Sequence, residues 1–140
     1  MLKSFFEQEA LRAWWGVSRS IAVPRVLGPY VLQWPVTDFR DNVLGRLGGV
    51  FHGTIMEFLP DKGFFVGNTY WMAPDGDPIG PMALEVACTP TARRGLTEGP
   101  LRLRLTQSGY EDGVRWRQYY EVVAPGYTRA LTTLKSLIEK

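Results

Sequence analysis

Two apolar, aromatic runs, Val50–Leu59 and Phe64–Ala73, flank Pro60-Asp61-Lys62-Gly63, and no other feature constrains the chain more. Proline presets the first turn dihedral, and glycine takes a backbone position that other residues resist. The pair predicts a β-hairpin. A Pro/Gly loop from Pro74 to Pro81 follows. Beyond it, Met82, Leu84, Val86 and Cys88 alternate with Ala83, Glu85, Ala87 and Thr89. Leu101, Leu103 and Leu105 alternate with Arg102 and Arg104. These are period-two strands with one wet face, joined by the polar loop Pro90–Pro100. Short strands in meander order predict an antiparallel sheet.

The C-terminus reads as a helix. Tyr127, Ala130, Leu131, Leu134, Leu137 and Ile138 share one face, and Arg129, Thr132, Thr133, Lys135, Ser136 and Glu139 hold the other. Val114–Val123 fits a strand about as well as a helix and is read as a helix leading into the last one. Residues 4–15 predict a first helix, with Ser4-Phe5-Phe6-Glu7 as a capping box and Gly16 as its stop. Leu11, Trp14 and Trp15 share its apolar face. Residues 20–27 and 29–36 look extended, with Pro24, Pro29 and Pro35 confining them to edges or bends. Thr37–Gly49 reads as a connection that includes a short strand.

The length, 140 residues, fits a single domain, 1–140. At 45% hydrophobic and 21% charged residues, the composition is that of a folded domain and excludes a disordered tail. No apolar run approaches the roughly 20 residues of a membrane span. The opening MLKSFFEQEALR has early acidic residues and no long apolar stretch, so it does not read as a secretory leader. A net charge of +2 gives no reason to expect nucleic acid or a membrane as partner. The single cysteine, Cys88, cannot form an internal disulfide, which points to the cytoplasm. Aromatic residues make up 13%, enough to suggest a roomy apolar interior or a binding surface.

Four segments resemble one family in the right order. Phe5–Gly16 (FFEQEALRAWWG) is similar to the double-Trp helix of the Hsp90-ATPase-activator-homologue-like family, within the START/Bet v 1-like (SRPBCC) superfamily. Gly49–Ile55 resembles its glycine-containing strand, Leu105–Tyr110 its "LTHSGF" strand end, and Gly126–Lys135 the start of its last helix. The resemblance implies an α+β helix-grip fold: a curved antiparallel sheet wrapped around a long C-terminal helix, with a cavity that often holds an apolar small molecule. It brings no shared catalytic motif. The family also has a strand before the double-Trp helix, and here only 13 residues precede Trp14. Its absence would leave a sheet edge unpaired. The expectation is that a second copy, giving a homodimer, or a loop covers that edge. Pro29, Gln107 and Tyr110 depart from the family pattern.

The chemistry-bearing residues are sparse. One histidine, His52, and one cysteine do not make a zinc site. Gly45, Gly48 and Gly49 lack the GK[ST] ending of a phosphate loop and read as turn or bulge glycines. Arg93-Arg94 reads as a solvated loop and Glu85 as solvent-facing. No catalytic residue, metal or cofactor is expected. The aromatics carry more. Trp14, Trp15, Trp34, Phe51, Phe58, Phe65, Tyr70, Trp71, Trp116, Tyr119 and Tyr120 sit on elements that should surround one interior. Cavity candidates are Trp15, Trp34, Met56, Phe58, Tyr70, Met72, Met82 and Leu84, with Tyr127, Leu131 and Leu134 from the last helix. The leading expectation is a non-enzymatic domain that binds a small hydrophobic or aromatic ligand. The alternatives are a co-chaperone-like protein-interaction module, and a cyclase- or hydrolase-like enzyme. The enzyme needs a polar pair in the cavity, such as His52 with Glu57 or Tyr70.

Overall fold

The computed structural model describes residues 2–38, 40–60, 62–90, 101–109 and 113–138. A 3-10 turn at Leu2–Phe5 precedes helix α1 (Gln8–Trp15). Strands β1 (Arg19–Ala22), β2 (Pro29–Trp34), β3 (Arg40–Asp41) and β4 (Gly45–Arg46) follow. Then come β5 (Gly49–Leu59), β6 (Gly63–Met72), β7 (Ile79–Pro90), β8 (Leu101–Ser108) and helix α2 (Val114–Ile138). Six strands form one antiparallel sheet in the order β1-β2-β5-β6-β7-β8, and β3 pairs only with β4. The class is α+β, an antiparallel sheet with a long C-terminal helix. No helix of the described residues is long and apolar enough to cross a membrane.

The β5–β6 hairpin forms as its sequence predicts, running from Val50↔Met72 to Leu59↔Gly63. Asp61 of its turn lies outside the described residues. Gly63 has φ +154°, and a Cβ there would lie 2.1 Å from the Val86 carbonyl oxygen, so the strand crossing requires glycine. In β7 the expected parity holds: Met82, Leu84, Val86 and Cys88 are buried, while Glu85 is exposed. Leu103 and Leu105 of β8 pack on the core and Arg104 faces water. Of the loop expected at Pro90–Pro100, Pro90 ends β7; residues 91–100, with Arg93-Arg94, lie outside the described residues. So do Tyr110 and Glu139.

Three extra residues break the simple alternation. Val66 pairs with Leu84 and Thr69 with Met82, so β6 carries one residue more than β7 at Gly67-Asn68. Asn68 accommodates it with φ +49°. Ile55 pairs with Val66 but Glu57 with Phe65, which makes Met56 a bulge in β5. Thr69 pairs with Met82 but Trp71 with Ile79, which places another at Gly80-Pro81 in β7. Each bulge switches which parity of side chain faces inward beyond it.

The N-terminal expectation needs correction. Residues 4–15 are not one helix, and the capping box does not form. Ser4 lies in the 3-10 turn, Glu7 is the N-cap of α1, and no side chain caps it. The reason is that the chain breaks to drive Phe5 and Phe6 into the sheet. Tyr30 Oη donates to the Phe5 carbonyl at 2.9 Å, and Trp14 Nε1 to the Ser4 carbonyl at 2.7 Å. Gly16 does stop α1: its φ is +72°, and the Gly16 and Val17 N–H groups return to Arg12 and Leu11 carbonyls.

Val114–Val123 is helical and continuous with the last helix, with Pro125 inside it. Proline leaves the carbonyl four residues back without its N–H partner. On α2, Ala130 and Leu134 are buried and Tyr127 and Leu131 half-buried. Leu137, expected on the same face, is exposed.

Candidate functional site

A cavity of about 590 Å³ lies between one face of the sheet and α2. Its floor is built by strand parity. Trp34 ends β2, Phe51 sits near the start of β5, and Trp71 near the end of β6. The pairings Trp34↔Gly49, Leu32↔Phe51 and Phe51↔Trp71 carry these rings across three neighbouring strands. Trp14 and Trp15 at the end of α1 close one side. From α2 come Tyr119, Val122, Val123, Gly126, Tyr127 and Ala130. Leu44, Leu47 and Gly48, from the β3–β4 hairpin and the chain after it, cover another wall.

The rings are locked by their polar atoms. Trp34 Nε1 donates to the Trp15 carbonyl at 2.8 Å, and Trp71 Nε1 to the Gly48 carbonyl at 2.7 Å. With Trp14 bonded to Ser4, three indole N–H groups are spent on the backbone. What these rings offer a guest is therefore largely π-face and edge. Trp15 stacks on Trp14 (centroids 4.7 Å) and meets Trp34 and Tyr127 edge-on at 5.5 and 5.8 Å. Trp71 leans on Tyr119 at 5.5 Å.

One polar bridge joins the sheet to the helix behind this wall. Gln107, on the inner face of β8, donates through Nε2 to Tyr119 Oη at 3.2 Å and lies 3.0 Å from Met82 Sδ. Tyr127 Oη donates to Gln107 Oε1 at 2.8 Å. Both phenols are thus positioned by a single amide from the opposite layer. Outside the wall, a polar clasp holds the β3–β4 hairpin. Asp41 accepts the Val43 and Leu44 N–H groups at 3.0 Å each, and Gln118 of α2 donates to it at 2.7 Å. The Leu44 N–H bond is the main reason its carboxyl lies below the ordinary range. Arg46 grips Asp75 through its backbone N–H at 2.8 Å and its guanidinium at 2.7 Å. Those bonds hold the Asp75 carboxyl far below the usual range.

Of the sequence candidates, Trp15, Trp34 and Tyr127 line the cavity. Phe58 packs on Phe6 at 5.7 Å, away from the cavity. Met82, Leu84 and Leu134 are buried in the core and Leu131 packs against it, outside the cavity lining. Met56 and Met72 are 50% and 40% exposed, so they do not face inward. Met56 is itself the bulge in β5. Tyr70 and Met72 share the parity of Val66, but the Gly67-Asn68 bulge turns them outward and brings Trp71 inward. Tyr70 instead stacks on His52 (centroids 5.8 Å), on the sheet face opposite Phe51 and Trp71. Neither His52, Glu57 nor Tyr70 lines the cavity.

Trp14, Phe51, Trp71 and Tyr119 line the cavity without being among its expected residues, although all four stand among the aromatics noted in the sequence. The expected residues do not include Gln107 either, whose bridging role has no short-range signature. Gly126 was visible only as part of a helix-start motif. Among the described residues no three His, Cys, Asp or Glu side chains come together as metal ligands. The chain matches no family model, no curated protein and no solved structure, so the reading of this site rests on its own residues.

Proposed function

We propose that this chain is a helix-grip binding domain, similar to the START/Bet v 1-like superfamily, whose cavity takes a small, flat, hydrophobic or aromatic molecule without transforming it. The observation that carries this is the 590 Å³ cavity walled by Trp15, Trp34, Phe51 and Trp71. That volume lies within the range of small-molecule sites, and the ring-lined wall is the common lining of such sites. Two tryptophan N–H groups of that wall are already bonded to backbone, which favours apolar over hydrogen-bonding guests. The only histidine stands on the far face of the sheet, stacked on Tyr70, which weakens the enzyme reading. The buried, unpaired Cys88 fits a reducing cytoplasm.

The test uses a fluorescent neutral probe, N-phenyl-1-naphthylamine, titrated into the full chain. Saturable binding with a blue-shifted emission is expected. Gly126 lines the cavity, and a Cβ there would meet nothing within 4 Å, so Gly126→Phe should start a ring into the cavity from a position with room for its Cβ. That variant should keep the wild-type circular dichroism and lose the probe. Wild-type protein that leaves the probe unbound, or a folded Gly126→Phe that binds it as well as wild type, would overturn the reading.

A second reading concerns assembly. β1 is a four-residue edge strand, and Ile21, Val26 and Leu27 on and after it are 62%, 51% and 66% exposed. Gln8 Oε1 accepts the Ser20 N–H at 3.3 Å, and exposed apolar groups beside the rest of this strand edge favour pairing with a second copy. Sedimentation should then show a concentration-dependent dimer that Ile21→Lys abolishes; a clean monomer at high concentration excludes it.

A further inference from the structure

Among the described residues that line the cavity, a single one is charged: Arg129. It stands with Thr133 one helical turn on, and both are exposed. Pro35 and Thr37, also exposed, line the cavity from the sheet side. The walls behind them are buried, with Trp14, Phe51 and Tyr119 each 3% exposed. The site therefore has an apolar inner end and a cationic rim. Among the described residues no aspartate or glutamate lines it. The helix supplies no counter-charge either: three and four residues away from Arg129 stand Gly126, Pro125, Thr132 and Thr133. Among the described residues the ion pairs involve Arg40, Arg46 and Asp75, and not Arg129.

Resting on the binding function proposed above, we infer that the preferred ligand is an amphipathic aromatic acid, its ring system inside and its carboxylate, sulfonate or phosphate at the rim on Arg129. The physical case is a matter of placement. A guanidinium pairs with planar oxyanions through two parallel N–H bonds. At the exposed rim neither charge has to be stripped of water, so the pair forms without the desolvation cost of a buried one. A neutral ring compound would use the walls and leave the arginine solvated. A cationic one would meet a like charge and no carboxylate.

Two naphthalene probes of nearly the same skeleton separate these cases: the anionic 1-anilinonaphthalene-8-sulfonate and the neutral N-phenyl-1-naphthylamine. Wild-type protein should bind the sulfonate about 5-fold more tightly at low ionic strength, the order of a single exposed ion pair. The preference should shrink as salt rises. Arg129→Gln should bring the ratio to near one by weakening the sulfonate alone, and Arg129→Lys should keep part of it. Equal binding of the two probes by wild type, or a sulfonate preference that survives Arg129→Gln, would overturn the inference and leave the cavity reading standing. Failure of both probes to bind would remove the cavity reading and the inference with it.

Discussion

The two ends of the inner sheet face are made from the same kinds of residue and come out differently. At one end, Phe5, Phe6, Tyr30, Phe58 and Phe64 contact one another ring to ring. Phe6 lies 4.8 Å from Phe64, and Tyr30 lies 5.4 Å from Phe64. At the other end of the same strands, Trp34, Phe51 and Trp71 leave a cavity. Each strand reads from one regime into the other: β2 from Tyr30 to Trp34, β5 from Phe51 to Phe58, β6 from Phe64 to Trp71. What differs is the filler. The 3-10 turn and the residue after it insert Phe5 and Phe6 into the closed end. The open end faces α2, which brings Gly126 and Ala130 between Tyr119 and Tyr127 and the exposed Arg129 and Thr133, and no ring from the N-terminal turn fills the space. Trp15 stands at the boundary, edge-on to Phe5 at 6.4 Å on one side and to Trp34 and Tyr127 on the other. An aromatic ring becomes core or pocket wall according to what the facing element brings.

The largest effect should come from truncating matched rings at the two ends. Phe64 is 2% exposed and in ring contact with Phe5, Phe6 and Tyr30, so Phe64→Ala should cost about 3–5 kcal/mol in urea denaturation. Phe51 is equally buried but borders existing empty space, so its ring has fewer partners to lose. Phe51→Ala should cost at least about 1 kcal/mol less than Phe64→Ala. Equal losses would mean that the two ends are packed alike and that the contrast is false.

A hydroxyl should sharpen the same contrast. Tyr30 is fully buried at the closed end, and its Oη donates to the Phe5 carbonyl. Burial raises its pKa, so the phenol keeps its proton. Tyr30→Phe removes that donor and leaves a buried carbonyl unpaired, at a cost of about 1–3 kcal/mol. Probe binding at the open end should not change. A variant as stable as wild type would show that the 3-10 turn is held by its rings alone.

Gly126 gives the opposite sign. It lies within α2, where glycine weakens a helix, and a methyl group there has room. Gly126→Ala should raise stability by about 0.5–1 kcal/mol in the same denaturation experiment. At the closed end an added methyl has no such space: a Cβ at Gly53 would lie 2.6 Å from Thr69 Cγ2 and 2.7 Å from Val66 Cγ1. Gly53→Ala should therefore destabilise.

How far the sequence went in anticipating this follows from where local rules were left undisturbed. The β5–β6 hairpin was legible because turn chemistry and apolar runs agree over one contiguous stretch. The alternation in β7 was legible because its only bulge precedes Met82. The cavity was partly legible. Trp15 and Trp34 end α1 and β2 with no bulge intervening, Tyr127 lies on the helix face that its periodicity marks as apolar, and all three line it. Tyr70 and Met72 were misplaced because two-residue parity cannot see the extra residue at Gly67-Asn68, which exists to satisfy pairing on both sides of β6. The Ser4–Glu7 capping box failed for a tertiary reason: burying Phe5 and Phe6 outweighs a cap of about 1 kcal/mol. Gln107 joins Tyr119 and Tyr127 across layers, and nothing local to any of the three announces that meeting.

The smallest effect expected is at the clasp over the open end, which has no counterpart among the rings of the closed one. Arg46 bonds, then its charge, hold the folded pKa of Asp75 below the unfolded value of about 3.9. A group lowered on folding contributes stability that is present above its unfolded pKa and fades as pH falls toward the folded one. Above about pH 5, wild type should therefore melt slightly higher than Asp75→Asn, and the two curves should converge as pH drops below about 4. The carboxylate is solvent-accessible, so salt should shrink the gap. Leu44 and Leu47 carry the clasp's effect into the cavity wall. The neutral probe should accordingly leave Asp75→Asn faster than wild type at neutral pH in a stopped-flow chase, and the difference should disappear in acid. Matching off-rates at neutral pH would show that the β3–β4 hairpin keeps its place without the Arg46–Asp75 bonds, and that the open end needs no ionic latch.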